Sequence, residues 1–161
     1  MNEYCIIKSP VDDLMLAADA SALTGLYFVG CGHTPAASKD WKLNAKNMVL
    51  QQAAKQLEEY LAGKRTKFSV PVRLSGTEFQ ESIWNQIAQI PFGKTVSYTH
   101  LAKGAGSPRA IRAAGTTTGR NPIAIIVPCH RVLGKNGSLC GFAGGLERKL
   151  FLLALETRNP N

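Results

Sequence analysis

The chain has 161 residues, enough for one domain or two small ones, with 45% hydrophobic and 19% charged residues. That balance excludes disordered and fibrous classes, and the longest aliphatic run, Ile123 to Val127, is far too short for a bilayer span. The net charge of +8 is unevenly placed: residues 1–90 hold nine Lys/Arg and nine Asp/Glu, whereas residues 91–161 hold ten Lys/Arg and only Glu147 and Glu156. A basic C-terminal half suggests a polyanionic partner, although a charged solubility surface would read the same way.

The N-terminus, MNEYCIIKSP, has neither a basic n-region nor an apolar h-region, so a cytoplasmic protein is expected, or a nuclear one in a nucleated cell. Without export, Cys5, Cys31, Cys129 and Cys140 are expected as free thiols. There is no C-x-x-C pair, and Cys31-Gly32-His33 alone is a weak metal signal.

In chain order, residues 3–8, 14–18 and Leu23 to Val29 read as strands, and Gly30 to Asp40 as a loop. Residues 44–62 read as a helix, because Val49, Ala53, Leu57, Tyr60 and Leu61 fall on one stripe and Gly63 stops it. Phe68 to Val72 reads as an edge strand marked by Pro71. This first part predicts a small α/β unit with nothing catalytic in it. A boundary near Arg73 to Gly76 divides the chain into domains at 1–74 and 75–161.

Thr77 and Gln80 have the spacing of a capping box, and Phe79, Ile83, Trp84 and Ile87 follow on one face. Pro91-Phe92-Gly93 ends that helix. Ser97 caps a short helix ending near Lys103, and Gly104 and Gly106 make a turn. Ser107 as N-cap and Pro108 at the first position start a second helix through Arg109, Ile111, Arg112 and Ala114. Two short helices across a glycine turn form a helix-turn-helix pattern. Small residues between Arg109 and Arg112 suit close approach to a groove.

Behind Asn121-Pro122 the apolar run delivers Pro128-Cys129-His130-Arg131-Val132. A free thiol is only slightly ionised at neutral pH, so a nucleophilic cysteine wants a base or a positive field. His130 can supply the base and Arg131 a nearby charge. From these five residues alone, a buried structural cysteine beside a core histidine is an equal reading.

The pentapeptide resembles the active-site signature of the O6-alkylguanine-DNA alkyltransferases, and the resemblance extends in order from Gly76 to Glu156 through GTEFQESIW, IPFGKTVSY, LA, the Arg-bearing helix, GRNP, IIVPCHRV, GFAGG, ERK and LLALE. It implies a small RNase H-like α/β domain followed by a mostly helical, winged-helix-like domain with a helix-turn-helix. The implied activity is DNA repair by direct reversal: stoichiometric, irreversible transfer of an alkyl group from O6-alkylguanine in double-stranded DNA to Cys129. O4-alkylthymine is a further candidate substrate. No cofactor is needed for such a transfer, because the DNA supplies the alkyl group; a monomer is the default expectation, and no membrane partner is expected.

The same resemblance implies residue roles. Cys129 is the acceptor, His130 takes its proton through a water, and Glu156 orients His130. Asn121 braces the turn, and Tyr98 donates to guanine N3. Arg112 fills the gap left by a flipped base in a minor-groove complex, and Arg109, Arg120 and Lys94 are candidate phosphate contacts. Val132, Phe142, Ala143, Gly144 and Gly145 shape the pocket. The chain departs from the family with Leu155 where His is common and Ala143 where Ser is common. Cys5 matches one ligand of the zinc that some members bind, but the other positions do not, so no zinc is expected. A regulatory zinc domain fused in some relatives has no room in this length. Three rivals are lesion sensors that replace the acceptor, commonly with Trp, a turnover thiol hydrolase, and a plain helix-turn-helix binder. Cys129 argues against the first, the basic half against the second, and Pro128-Cys129-His130 against the third.

Overall fold

The computed structural model describes residues 2–30, 35–137 and 145–158. The chain divides into two compact units, residues 1–73 and 74–161. In the first, β1 (Glu3–Ile7), β2 (Leu14–Ala18) and β3 (Leu23–Phe28) form an antiparallel meander. A short β4 (Lys42–Leu43) adds in parallel beside β1, giving the order β3-β2-β1-β4. Cys5, Leu16 and Leu26 lie opposite one another in the register and are all buried. α1 (Met48–Leu61) covers the sheet with Val49, Leu50, Ala53, Leu57, Tyr60 and Leu61. Full burial of each large side chain among these stabilises by about 1.5–3 kcal/mol.

α1 starts later than the periodicity predicts. Asn47 is its N-cap, accepting at Oδ1 from the N–H groups of Val49 (2.9 Å) and Leu50 (3.1 Å), so residues 44–47 stay outside the helix. The strand expected over 68–72 is reduced to a single parallel bridge between Leu23 and Val72. Pro71 has no N–H to give a ladder, and Gln56 Oε1 takes the N–H groups of Ser69 (2.9 Å) and Val70 (3.3 Å).

The second unit holds α2 (Glu78–Ala88), β5 (Val96–Ser97), α3 (Tyr98–Gly104), α4 (Ile111–Gly119), β6 (Val132–Leu133) and α5 (Leu146–Arg158). Thr77 and Gln80 form the capping box of α2 in both directions. α2, α3 and α4 pack on one another around Ile83, Trp84, Ile87 and Leu101, and Trp84 Nε1 donates to Thr117 O at 2.9 Å. β5 and β6 pair in parallel, Val96 with Val132 and Ser97 with Leu133. That short ladder joins the strand entering α3 to the strand leaving Cys129. No helix among the described residues is long and apolar enough to cross a membrane.

Candidate active site

Cys129 reaches its position through consecutive tight turns. Ile125 has φ 69°, and Ile126 N–H bonds back to Ala124 O at 2.7 Å, a γ-turn in the left-handed region. A β-branched residue rarely adopts this conformation, so surrounding structure must impose it. Asn121 does so: Nδ2 donates to Val127 O (2.7 Å) and Ile123 O (3.3 Å), while Oδ1 accepts from Ile123 N–H (3.0 Å). A second tight turn at Pro128 (φ −80°, ψ 67°) brings Cys129 N–H to Val127 O at 2.8 Å. A single 3-10 turn, Cys129–Arg131, then leads into β6.

Cys129 is only 5% exposed, and burial pushes its thiol up to about 11. Hydrogen bonds from Asn121 and from the backbone of Cys129 and His130, with the charge of Lys149, oppose that rise without cancelling it. The resting sulfur is therefore a protonated thiol. His130 is fully buried, and its Nε2 lies 2.7 Å from Glu156 Oε2. Burial lowers its basicity, and the neighbouring carboxylate only partly restores it. Neutral His130 thus places its proton on Nε2, facing Glu156. Its Nδ1 is left as an acceptor with no hydrogen-bond partner among the described residues. Glu156 is 2% exposed. Burial would raise its pKa, but the hydrogen bonds and charge of His130 and Arg131 together hold it well below the usual carboxylate range. His130 contributes through its N–H bond, and Arg131 adds a guanidinium that is always charged.

Arg131 was expected beside Cys129. Instead its guanidinium turns to Glu156, with Nε 2.8 Å from Oε1 and Nη2 2.8 Å from Oε2. A planar fork meeting a carboxylate is a stronger attraction than a distant thiol. Lys149 was not singled out from sequence. It is fully buried and donates from Nζ to Val132 O at 2.7 Å. Its signal was its spacing: Lys149, Leu152 and Glu156 share the buried stripe of α5. Gly93, also missed, donates its N–H to Glu156 Oε1 at 3.2 Å from a left-handed position (φ 78°).

Tyr98 opens α3 behind the N-cap Ser97, whose Oγ accepts from His100 N–H at 3.1 Å. Tyr98 is buried, and a side chain at Gly115 of α4 would stand 3.8 Å from its ring. Arg112 lies exposed on the first turn of α4, and Arg120 caps its far end. Arg109 corrects the expected helix start. α4 begins at Ile111, and Ser107 O accepts from Ala110 N–H at 2.8 Å, so Ser107 to Ala110 is a turn. Pro108 suits the second position of such a turn as well as a helix start, and the turn wins here. Lys94 is exposed in the turn after α2. These four cations form no ion pair with another described residue. Gly145, with φ 89°, precedes α5. Phe142, Ala143 and Gly144, like Cys31, His33 and Cys140, lie outside the described residues.

The profile of the 6-O-methylguanine DNA methyltransferase ribonuclease-like domain matches residues 3–74, and that of the same protein's DNA binding domain matches residues 78–158. The chain belongs to the methylated-DNA–protein-cysteine methyltransferase family. A methyltransferase of this name from Methanosarcina acetivorans is 44% identical over 95% of this chain and 97% of its own length. One from Mycobacterium leprae is 46% identical over 93% and 89%. The crystal structure of Mycobacterium tuberculosis O6-methylguanine methyltransferase superposes with a TM-score of 0.91 at 42% identity, covering 99% of this chain and 94% of that one. The two-domain fold implied by the sequence, ribonuclease-like first and helical second, is therefore the fold of this methyltransferase family member.

Among the described residues of this methyltransferase, no group of three or more His, Cys, Asp or Glu is arranged to hold a metal ion. Cys5 is buried in the sheet, which pushes its thiol up.

Proposed function

We propose that this chain repairs DNA by direct reversal, moving an alkyl group from O6 of guanine in double-stranded DNA onto its own Cys129. One observation carries the reading. A buried cysteine is followed by a buried neutral histidine whose Nε2 is pinned on a paired carboxylate, leaving Nδ1 as the acceptor. A thiol held near 11 is inert at rest, so its proton must leave as it attacks.

In the proposed step the Sγ proton passes through a water to His130 Nδ1. The sulfur lone pair forms a bond to the alkyl carbon in line with the departing oxygen. The carbon–O6 bond breaks and its electron pair stays on guanine, which Tyr98 neutralises by donating at N3. The carbonyls of Cys129 and Val132 accept from the guanine amino group. Val132 O retains a lone pair for this beside the bond from Lys149. Asn121 braces the turn and Glu156 orients His130. Val132, Phe142, Ala143, Gly144 and Gly145 enclose the base. The thioether on Cys129 has no group to cleave it, so each molecule acts once. The DNA supplies the alkyl group and no cofactor takes part.

A buried thiol cannot reach a stacked base, so the nucleotide must flip. In this reading α4 enters the minor groove and Arg112 fills the gap, with Arg109, Arg120 and Lys94 on phosphates. Their exposure, and their lack of ion pairs with other described residues, support it. Residues 75–161 carry all of this chemistry and residues 1–74 form a supporting domain. The chain acts as a monomer in this reading. O4-alkylthymine is a secondary substrate. The M. tuberculosis relative, at 41% identity, has been crystallised in complex with DNA.

The test is intact mass after incubation with a duplex carrying one O6-methylguanine. A gain of about 14 Da, mapped to Cys129 and saturating at one per chain, is expected. Lesion binding with no mass change would overturn the acceptor role.

A further inference from the structure

Glu156 is held by more than the histidine it serves. Oε2 accepts from His130 Nε2 (2.7 Å), Arg131 Nη2 (2.8 Å) and Arg131 Nε (3.1 Å). Oε1 accepts from Arg131 Nε (2.8 Å) and Gly93 N–H (3.2 Å). Arg131 is itself anchored: Nη1 donates to Ile90 O at 2.7 Å, and its guanidinium carbon lies 5.8 Å from the centre of the Phe92 ring. The whole cluster is buried, with side-chain exposures of 0% for His130, 8% for Arg131 and 2% for Glu156.

A lone carboxylate at 2.7 Å from a buried imidazole has a clear electrostatic outcome. Burial by itself favours the neutral ring, and an unpaired carboxylate works against burial by favouring the imidazolium. An imidazolium has no lone pair, so it cannot take a proton from the thiol. The guanidinium fork changes this. It neutralises the carboxylate at the same two oxygens while leaving Oε2 able to accept from Nε2. Of the other described groups facing His130, Lys149 acts in the same direction and the rest are uncharged. Cys129 beside it is a protonated thiol, Lys149 on α5 is a cation, and the Ile90–Gly93 turn offers only a backbone N–H and the Phe92 ring. Among the described residues of the cluster Glu156 is the negative charge, and Arg131 pairs with it.

We infer that Arg131 is a positioning residue for the transfer reaction, pairing with Glu156 so that His130 stays a neutral base with its proton fixed on Nε2. The inference rests on the reading of His130 as the proton acceptor. It assigns to the second basic residue of the Pro128-Cys129-His130-Arg131 run a task on the carboxylate, not on DNA or on the thiol. It also explains why the Ile90–Gly93 turn is bonded to the relay. That turn fixes the guanidinium through Ile90 O and Phe92, and the carboxylate through Gly93 N–H.

The experiment is a pH series on the full chain with two readouts. One is the single-turnover rate on a duplex carrying O6-methylguanine. The other is the ring titration of His130 by NMR with labelled histidine. In the parent, His130 should stay neutral down to below pH 6.5, its ordinary midpoint. A parent His130 found protonated at neutral pH overturns the inference without any variant. In Arg131→Gln the ring midpoint should rise by about one to three units. The acid limb of the rate should move with it, falling about tenfold per unit at fixed pH and recovering at high pH. In Arg131→Gln/Glu156→Gln the midpoint should return downward, because the charge that Arg131 balanced is gone. A folded Arg131→Gln protein that is slower at every pH with an unmoved midpoint would reduce Arg131 to scaffolding. If instead the ring midpoints move as expected but the rate ignores them, the base role of His130 fails while the electrostatic role of Arg131 stands.

Discussion

The two units bury polar groups of different kinds. Among the described residues, 1–73 bury the amides Asn47 and Gln56, whereas 74–161 bury, besides Thr117 and Thr118, the ionisable His130, Arg131, Lys149 and Glu156. The amides are neutral and their bonds hold up structure. Asn47 caps α1 and also donates to Glu3 Oε1 (2.8 Å) and Asp19 O (3.2 Å). Gln56 binds the 69–70 segment through both ends of its side chain. Buried ionisable groups are costly to desolvate, and well-packed apolar residues would often serve stability as well. Where a small domain buries four of them, two directly following a buried cysteine, chemistry is the better explanation than stability. The contrast teaches that the type of buried polar group, more than the amount, separates scaffold from site.

The sharpest way to break this contrast is Cys129→Ala. It should abolish alkyl transfer while leaving duplex binding intact, measured by product mass and by gel shift. Next, Arg112→Ala should slow repair of duplex DNA by tenfold or more but change reaction with free O6-benzylguanine little, since only the duplex requires flipping. Equal losses on both substrates would remove the flipping role. Lys149→Met should leave Val132 O without its buried donor, costing about 1–3 kcal/mol and slowing transfer per folded molecule. Gln56→Ala in the other unit should cost a similar amount in denaturant melts with no change in that rate. If Gln56→Ala slows transfer as much as Lys149→Met, the division fails.

The pH dependence of the second unit's stability follows from its buried ionisable groups. Glu156 has a folded-state pKa below its ordinary value, so its contribution is present above that value and lost as pH falls toward the folded one. His130 is also lowered, so the unfolded chain binds more protons below its ordinary 6.5 and stability falls there too. Cys129 is raised, so the folded state holds its proton while the unfolded thiol loses it, and stability falls between 9.0 and about 11. The second unit should therefore be most stable between about pH 7 and 9, read by melts followed at Trp84. The smallest expected effect is Asn47→Ala, a lost cap worth about 1 kcal/mol with unchanged chemistry.

Much of this was legible from residues. The strands β1 to β3, the stripe of α1 and the capping box of α2 are all legible in local residues. What escaped was set by competition between neighbours. Ser107-Pro108 fits a turn or a helix start equally well, and only the bond to Ala110 N–H decides. Phe68 to Val72 reads as a strand until a distant Gln56 takes its amides. At the site, Cys129, His130 and Glu156 came from resemblance, yet the direction of Arg131 could not. Adjacent residues point apart on a 3-10 turn, and a sequence does not say which neighbour wins the guanidinium. Lys149 was overlooked because a lysine on a helix is usually at the surface, and its apolar-stripe spacing went unweighed.

The two-residue ladder between β5 and β6 has a bearing on how the protein comes into being. Val96 and Val132 are distant in the chain, and between them lie both helices of the helix-turn-helix. Closing so long a loop costs entropy that only the packed helices offset. The turn that carries Cys129 is therefore expected to be fastened late, after α3 and α4 have docked. A nascent or nicked chain that exposes Cys129 lacks its clamp, and backbone amide exchange at Val132 would time the moment at which the molecule becomes competent.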